Sequence, residues 1–194
     1  MFQQPSTDSV RRRYQAGKKL RRRLPREDQA HWAPARHRTD PLVTLAKVNK
    51  GRVQKLLPEK HKRMRLSPFS FFRGAAVLMA SDLATLRDTG ITVQLCGDAH
   101  VRNLGAYAAP DGRLVFDIND FDETIPGPWE WDVKRLATSL VLAGRESGQS
   151  EWRCEESVRA FVWSYRQHLR EFATMPFTAL ARHPFRTVSF QIHP

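Results

Sequence analysis

The chain has 194 residues, with 32 Lys and Arg against 20 Asp and Glu, 41% apolar residues and two cysteines. That suits one domain with a real hydrophobic core and excludes wholesale disorder. No run of about 18 apolar residues occurs, and the charges of Met1 to Leu24 leave no apolar segment for a signal peptide, so the expected location is cytoplasmic and no membrane contact is expected.

The net charge of +12 is unevenly distributed. Met1 to Leu66 holds 19 basic and 5 acidic residues, whereas Ser67 to Pro194 holds 13 basic and 15 acidic. Asp98 to Asp132 carries eight carboxylates against Arg102 and Arg113, a crowding that is costly unless a cation resides there. Cys96 and Cys154 lack a C-x-x-C partner and read as reduced thiols, neither a disulfide framework nor a zinc site.

In chain order, residues 1–35 read as a basic, flexible arm. Arg11-Arg12-Arg13 and Arg21-Arg22-Arg23 have little apolar material to bury, and residues 11–26 could grip a polyanion through counterion release. Asp40 before Pro41 marks a helix start, with a short helix expected over 40–57. Ser67 to Gly74 reads as an aromatic-rich turn, and a helix follows over 75–87. Strands are expected at 91–95, 104–107 and 113–118, with a loop over 96–103 and a turn at Asp111-Gly112. Val133, Leu136, Ala137, Leu140 and Val141 commit one helix face to the core. A last helix from Ser150 to about Phe172 carries the stripe Trp152, Val158, Phe161, Val162, Tyr165 and Leu169. Residues 36–173 form the expected domain, and 174–194 an irregular tail.

The chemistry is concentrated in Leu95-Cys96-Gly97-Asp98-Ala99-His100-Val101-Arg102-Asn103 and in Val115 to Glu123. An aspartate at a strand end, an asparagine five residues later, a hairpin, and an aspartate before a phenylalanine have the spacing of a phosphotransferase centre. There the first Asp takes the proton of the attacking hydroxyl, and the Asn and later Asp hold magnesium through oxygen.

Gly97-Asp98, Asn103 and Asp120-Phe121-Asp122 resemble the catalytic half of aminoglycoside phosphotransferases, choline kinases and protein kinases. The wider set of strings, including Ser67-Pro68-Phe69, Phe71 to Ala76, Cys96 to His100, Asn119 to Glu123 and Gly127 to Leu136, resembles the bacterial family of domain of unknown function 2252 (DUF2252), over about Arg36 to Gly148. The resemblance implies an α+β fold of the protein-kinase-like catalytic (C-lobe) half, a small β-hairpin sheet with mostly helical surroundings. It implies ATP and magnesium as cofactors, a nucleotide and a hydroxyl acceptor as partners, Asp98 as base, Asn103 and Asp120 as metal ligands, and Asp132 as the anchor of the catalytic loop.

Three departures accompany it. Cys96 stands where those kinases usually have His. The interval from Asn103 to Asp120 is 17 residues, so Asp117 competes as metal ligand, and strand alternation points Asp117 and Asp120 to opposite faces. No G-x-G-x-x-G run occurs. In the resembling family the glycine-rich segment and its lysine follow the catalytic half, so the chain reads as a truncated member with a complementing C-terminal half elsewhere.

Other residues carry two readings each. His100 either orients Asp98 or a phosphate, or fills the loop interior. Asp122 and Glu123 either bind a second cation or cap a turn. Arg73 either pairs with an acidic group in the site or lies along the surface. Two rival functions remain: a non-catalytic module that binds nucleic acid or another polyanion through the basic arm, and a metal-dependent phosphodiesterase with two cations about 4 Å apart.

Overall fold

The computed structural model describes residues 10–108, 112 and 114–180. The fold is mixed, with helices α1 (Val10–Arg23), α2 (Pro41–Asn49), α3 (Leu57–Met64), α4 (Pro68–Gly74) and α5 (Ala76–Leu83) ahead of the strands. Strands β1 (Thr92–Leu95), β2 (Leu104–Ala108), β3 (Leu114–Ile118) and β4 (Ile125–Pro128) follow, then α6 (Glu130–Glu146), α7 (Glu151–Phe172) and the short α8 (Phe177–Leu180). No described helix is long and apolar enough to cross a membrane.

The described part of the basic arm has regular structure. Residues 10–23 are helical, because Arg, Lys, Gln, Ala and Leu all favour helix and like-charge repulsion costs only tenths of a kcal/mol per pair. Leu24 is buried, Arg13 Nη2 donates to the Ala173 carbonyl (3.3 Å), and Arg87 Nη2 donates to the Arg23 carbonyl (2.6 Å), which ties the arm to the body.

The helix expected over 40–57 stops at Asn49. Asp40 caps it, Oδ1 accepting from the Leu42 and Val43 amides, and Pro41 takes the first position, where no N–H is needed. The aromatic turn is instead α4: Ser67 Oγ accepts from the Ser70 amide and Pro68 opens the helix. Leu45, Met64 and Ala75 form the core, with Val77 and Leu78 against them.

The single expected hairpin is two separate antiparallel pairs. β2 pairs with β3, Leu104 opposite Ile118 and Gly105 opposite Asp117. β1 pairs with β4, Val93 opposite Gly127 and Leu95 opposite Ile125. β4 reads Ile-Pro-Gly-Pro, which is tolerated because a two-stranded ribbon leaves one edge with no ladder for the missing N–H groups to serve. The Asp111 half of the expected turn, and the tail beyond Leu180, lie outside the described residues.

α6 buries a different face from the one its apolar stripe indicates. Val133, Leu136, Ala137, Leu140 and Val141 are only half-buried, whereas Glu130, Arg135 and Ser139 are fully buried. On α7, Trp152 and Leu169 of the expected packing stripe are exposed. Tyr165 is half-buried and stacks on Trp129 at 6.1 Å.

Candidate functional site

The loop 96–103 is held by one polar face of α6. Asp132 Oδ2 accepts from the Cys96 amide (2.6 Å) and Oδ1 from the Gly97 amide (3.1 Å). One turn on, Arg135 donates to Asp98 Oδ1 through Nε (2.8 Å) and Nη2 (2.5 Å). Ser139 Oγ then accepts from the Val101 amide (3.1 Å). Positions 132, 135 and 139 share a helix face by their spacing, so a single rigid element fixes the loop at three points.

Arg135 is missing from the residues that motif spacing picks out, yet it is 3% exposed and contacts Asp98 directly. Its Nη2 also donates to the Phe72 carbonyl (3.1 Å), and its guanidinium lies 4.1 Å from the centre of the Phe72 ring. The available signal was the i, i+3 pair Asp132 and Arg135 in the first turn of a helix. Burial pushes the Asp132 carboxyl above its ordinary value, against the two backbone N–H groups and Arg135, which favour the charged form.

Asn103 is buried and joins two segments. Its Nδ2 donates to the carbonyls of Asp98 (3.2 Å) and Asp120 (3.1 Å). Its own carbonyl accepts from the Asn119 amide (2.9 Å). With the nitrogen committed, Oδ1 is the end left for a ligand. Cys96 Sγ reaches the same Asp120 carbonyl at 3.8 Å, and burial pushes its thiol above the ordinary value, so it serves as a neutral link between the two segments.

Asp98, His100, Asn103 and Asp120 line one cavity of about 530 Å³ together with Lys60, Arg63 and Arg73. Asp98, Asp120, Asp132 and Arg135 line a second, of about 580 Å³. Asp117 lines neither: it sits in β3 opposite Gly105, and its Oδ1 accepts from the neighbouring Ile118 amide (2.7 Å). Asp120, beyond the strand end, is free of the alternation that turns Asp117 away.

Asp122 and Glu123 line the second cavity beside Asp98 and Asp120. The Asp122 amide donates to Asp120 Oδ1 (3.0 Å), and Glu123 accepts from Arg52 (2.9 Å). Among the described residues no group of three or more His, Cys, Asp or Glu side chains could hold a metal ion. The oxygens left uncommitted in the shared cavity are Oδ1 of Asn103, the second carboxylate oxygen of Asp120 and Oδ2 of Asp98. So small a set does not make a cage for a divalent cation by the protein alone, and suits only an ion that keeps most of its ligands from elsewhere.

His100 is 7% exposed, with Nε2 3.6 Å from Asp98 Oδ2 and its ring edge-on to Phe69 at 6.4 Å. Its Nδ1 is buried without a hydrogen-bond partner. Burial pushes the imidazole below 6.5, Asp98 opposes this, and the charges of Arg73 and Arg135 reinforce it. As pH falls through about 6.5 the unfolded chain gains a proton that folded His100 resists, so the stability His100 contributes is present above that pH and lost below it. Urea unfolding at about pH 7.5 and about pH 5.5 should show a lower midpoint in acid, with a smaller drop in His100→Gln. Equal drops in both proteins would remove His100 as the cause.

These features define a class: an α+β domain in which a loop pinned to a helix presents two aspartates and an asparagine to a shared cavity. The chain belongs to the family described as uncharacterized protein conserved in bacteria (DUF2252), whose model matches residues 52–192. No curated protein and no solved structure matches the chain.

Proposed function

We propose that this domain is the catalytic-lobe half of a kinase-like phosphotransferase that moves a phosphoryl group from ATP to a hydroxyl acceptor. The observation that carries this reading is the Asn103 amide, bonded to the Asp98 and Asp120 carbonyls so that all three side chains line one cavity. In this reading Asp98 accepts the hydroxyl proton at Oδ2, the oxygen to which Arg135 makes no bond. Arg135 positions Asp98 through Oδ1, and Asp132 fixes the loop through its backbone. Asn103 and Asp120 hold magnesium, which when bound offsets the charge of the phosphates.

Calorimetric titration of ATP with and without magnesium tests the reading. Binding is expected to require magnesium and to weaken about tenfold or more in Asn103→Ala and Asp120→Asn. Affinity that ignores both magnesium and these substitutions would overturn it. One observation favours a second reading: α1 exposes Arg11, Arg12, Arg13, Lys18, Lys19, Arg21, Arg22 and Arg23 along its length. Binding of single-stranded nucleic acid that needs no magnesium and falls steeply with salt would favour a polyanion-binding module instead.

A further inference from the structure

The two cavities share a wall. Lys60, Arg73, Gly74, Asp98 and Asp120 line both. The wall exists because α3 and α4 approach closely at Gly74, where a side chain would collide with Met64. Lys60 lies one turn before Met64 on the same face of α3, and Arg73 immediately precedes Gly74, so the close approach brings two cations from different helices together.

Lys60 and Arg73 face Asp98 and Asp120 on this wall, and of the four only Asp98 is in an ion pair with an arginine. Asp98 is matched by Arg135. Arg63 and Arg102 are committed to Glu59 and Glu146. Among the described residues, neither Lys60 nor Arg73 makes an ion pair within 4.0 Å: Glu123 acts on Lys60 only at longer range, Lys60 Nζ makes one long bond to Asn49 Oδ1 (3.4 Å), and the Nε of Arg73 is buried with no acceptor. A buried guanidinium N–H without an acceptor is costly, which makes it a marker for a group supplied from outside the chain. The unpartnered Nδ1 of His100, in the same cavity, is a second such atom.

We infer that Arg73 and Lys60 form an oxyanion subsite that holds a phosphoryl group at the wall between the two cavities. Arg73 supplies a planar fork of donors and Lys60 a point charge, the two ways side chains engage phosphate oxygens. The position places the bound group beside Asp98 and Asp120, on the line between a donor in one cavity and an acceptor in the other. That a phosphoryl group in transfer occupies the subsite rests on the phosphotransferase reading; the binding of an oxyanion stands on the two cations that make no ion pair.

Inorganic phosphate and pyrophosphate, titrated by calorimetry into the full chain at low ionic strength without metal, test the subsite. Both should bind, with affinity about tenfold or more weaker in Arg73→Gln and in Lys60→Gln and partly kept in Arg73→Lys. Thermal unfolding of each variant separates lost binding from lost fold, and Arg73→Lys retains the charge if the glutamine variant unfolds. Displacement of bound phosphate by ATP with magnesium assigns the subsite to the donor, and displacement by glycerol 3-phosphate assigns it to the acceptor. Phosphate binding in a chain that takes up no nucleotide supports the subsite while removing the phosphotransferase reading. Absence of phosphate and pyrophosphate binding, or unchanged affinity in folded Arg73→Gln and Lys60→Gln, overturns the subsite.

Discussion

On the proposed phosphotransferase reading, Asp98→Asn should lower the rate of ATP turnover by about 10²- to 10⁴-fold, the range for loss of a positioned general base. An amide at this position keeps an oxygen for Arg135 but has no basic oxygen left for the hydroxyl proton. The substitution also touches stability. Arg135 is 4% exposed in its side chain and Asp98 is 23% exposed, so removing the carboxylate leaves a buried guanidinium facing a neutral amide. The cost should be about 2–3 kcal/mol, below the roughly 3–5 kcal/mol of a fully buried broken pair because water still reaches Asp98. The two effects separate in the double variant Asp98→Asn with Arg135→Met, in which an apolar chain of similar reach replaces the stranded cation. Stability should recover in part and turnover should not. Turnover of Asp98→Asn equal to that of the parent would remove Asp98 from the mechanism.

Gly97→Ala is expected to destabilise the protein by about 4 kcal/mol. Gly97 has φ +86°, in the region that side-chain-bearing residues rarely adopt. A Cβ there would also collide with the backbone carbonyl of Glu123, which precedes β4 and cannot move without disturbing the β1–β4 pair. Backbone strain and steric overlap each cost about 1–3 kcal/mol, and here they fall on one atom. Gly97 also donates its amide to Asp132 and immediately precedes Asp98, so relief of the clash moves the candidate base. Chemical denaturation gives the loss, and a change under about 1 kcal/mol would mean that the loop and Glu123 separate more easily than their packing indicates.

Much of the site could be read along the chain because its spacing is local. The interval from Asp98 to Asn103 lies in one loop, and the Asp40 and Ser150 caps each act within three residues. The Ser67-Pro68 helix start was equally local, and the cluster of aromatics after it obscured the cap. β4 was illegible for a different reason: two prolines in four residues argue against a strand, and only the pairing partner β1 makes the segment extended. Arg135 was hidden inside a string read for its apolar period. That period described a half-buried face of α6, while the polar positions at 132, 135 and 139 met the loop.

The sequence by itself determined the family, the places of α2, α5, α6, α7 and of β1 to β3, and the group Asp98, Asn103, Asp117, Asp120 and Asp132 from which a site could be built. Only the tertiary structure decided that Asp120, not Asp117, shares a cavity with Asp98, that Arg135 holds Asp98, and that Lys60 and Arg73 stand beside it without an ion pair. The reason is one of range. Helix period, capping and motif spacing are written within a few consecutive residues. Burial and charge balance at the site depend on how α3, α4, α6 and the 96–103 loop pack, and those segments are tens of residues apart in the chain.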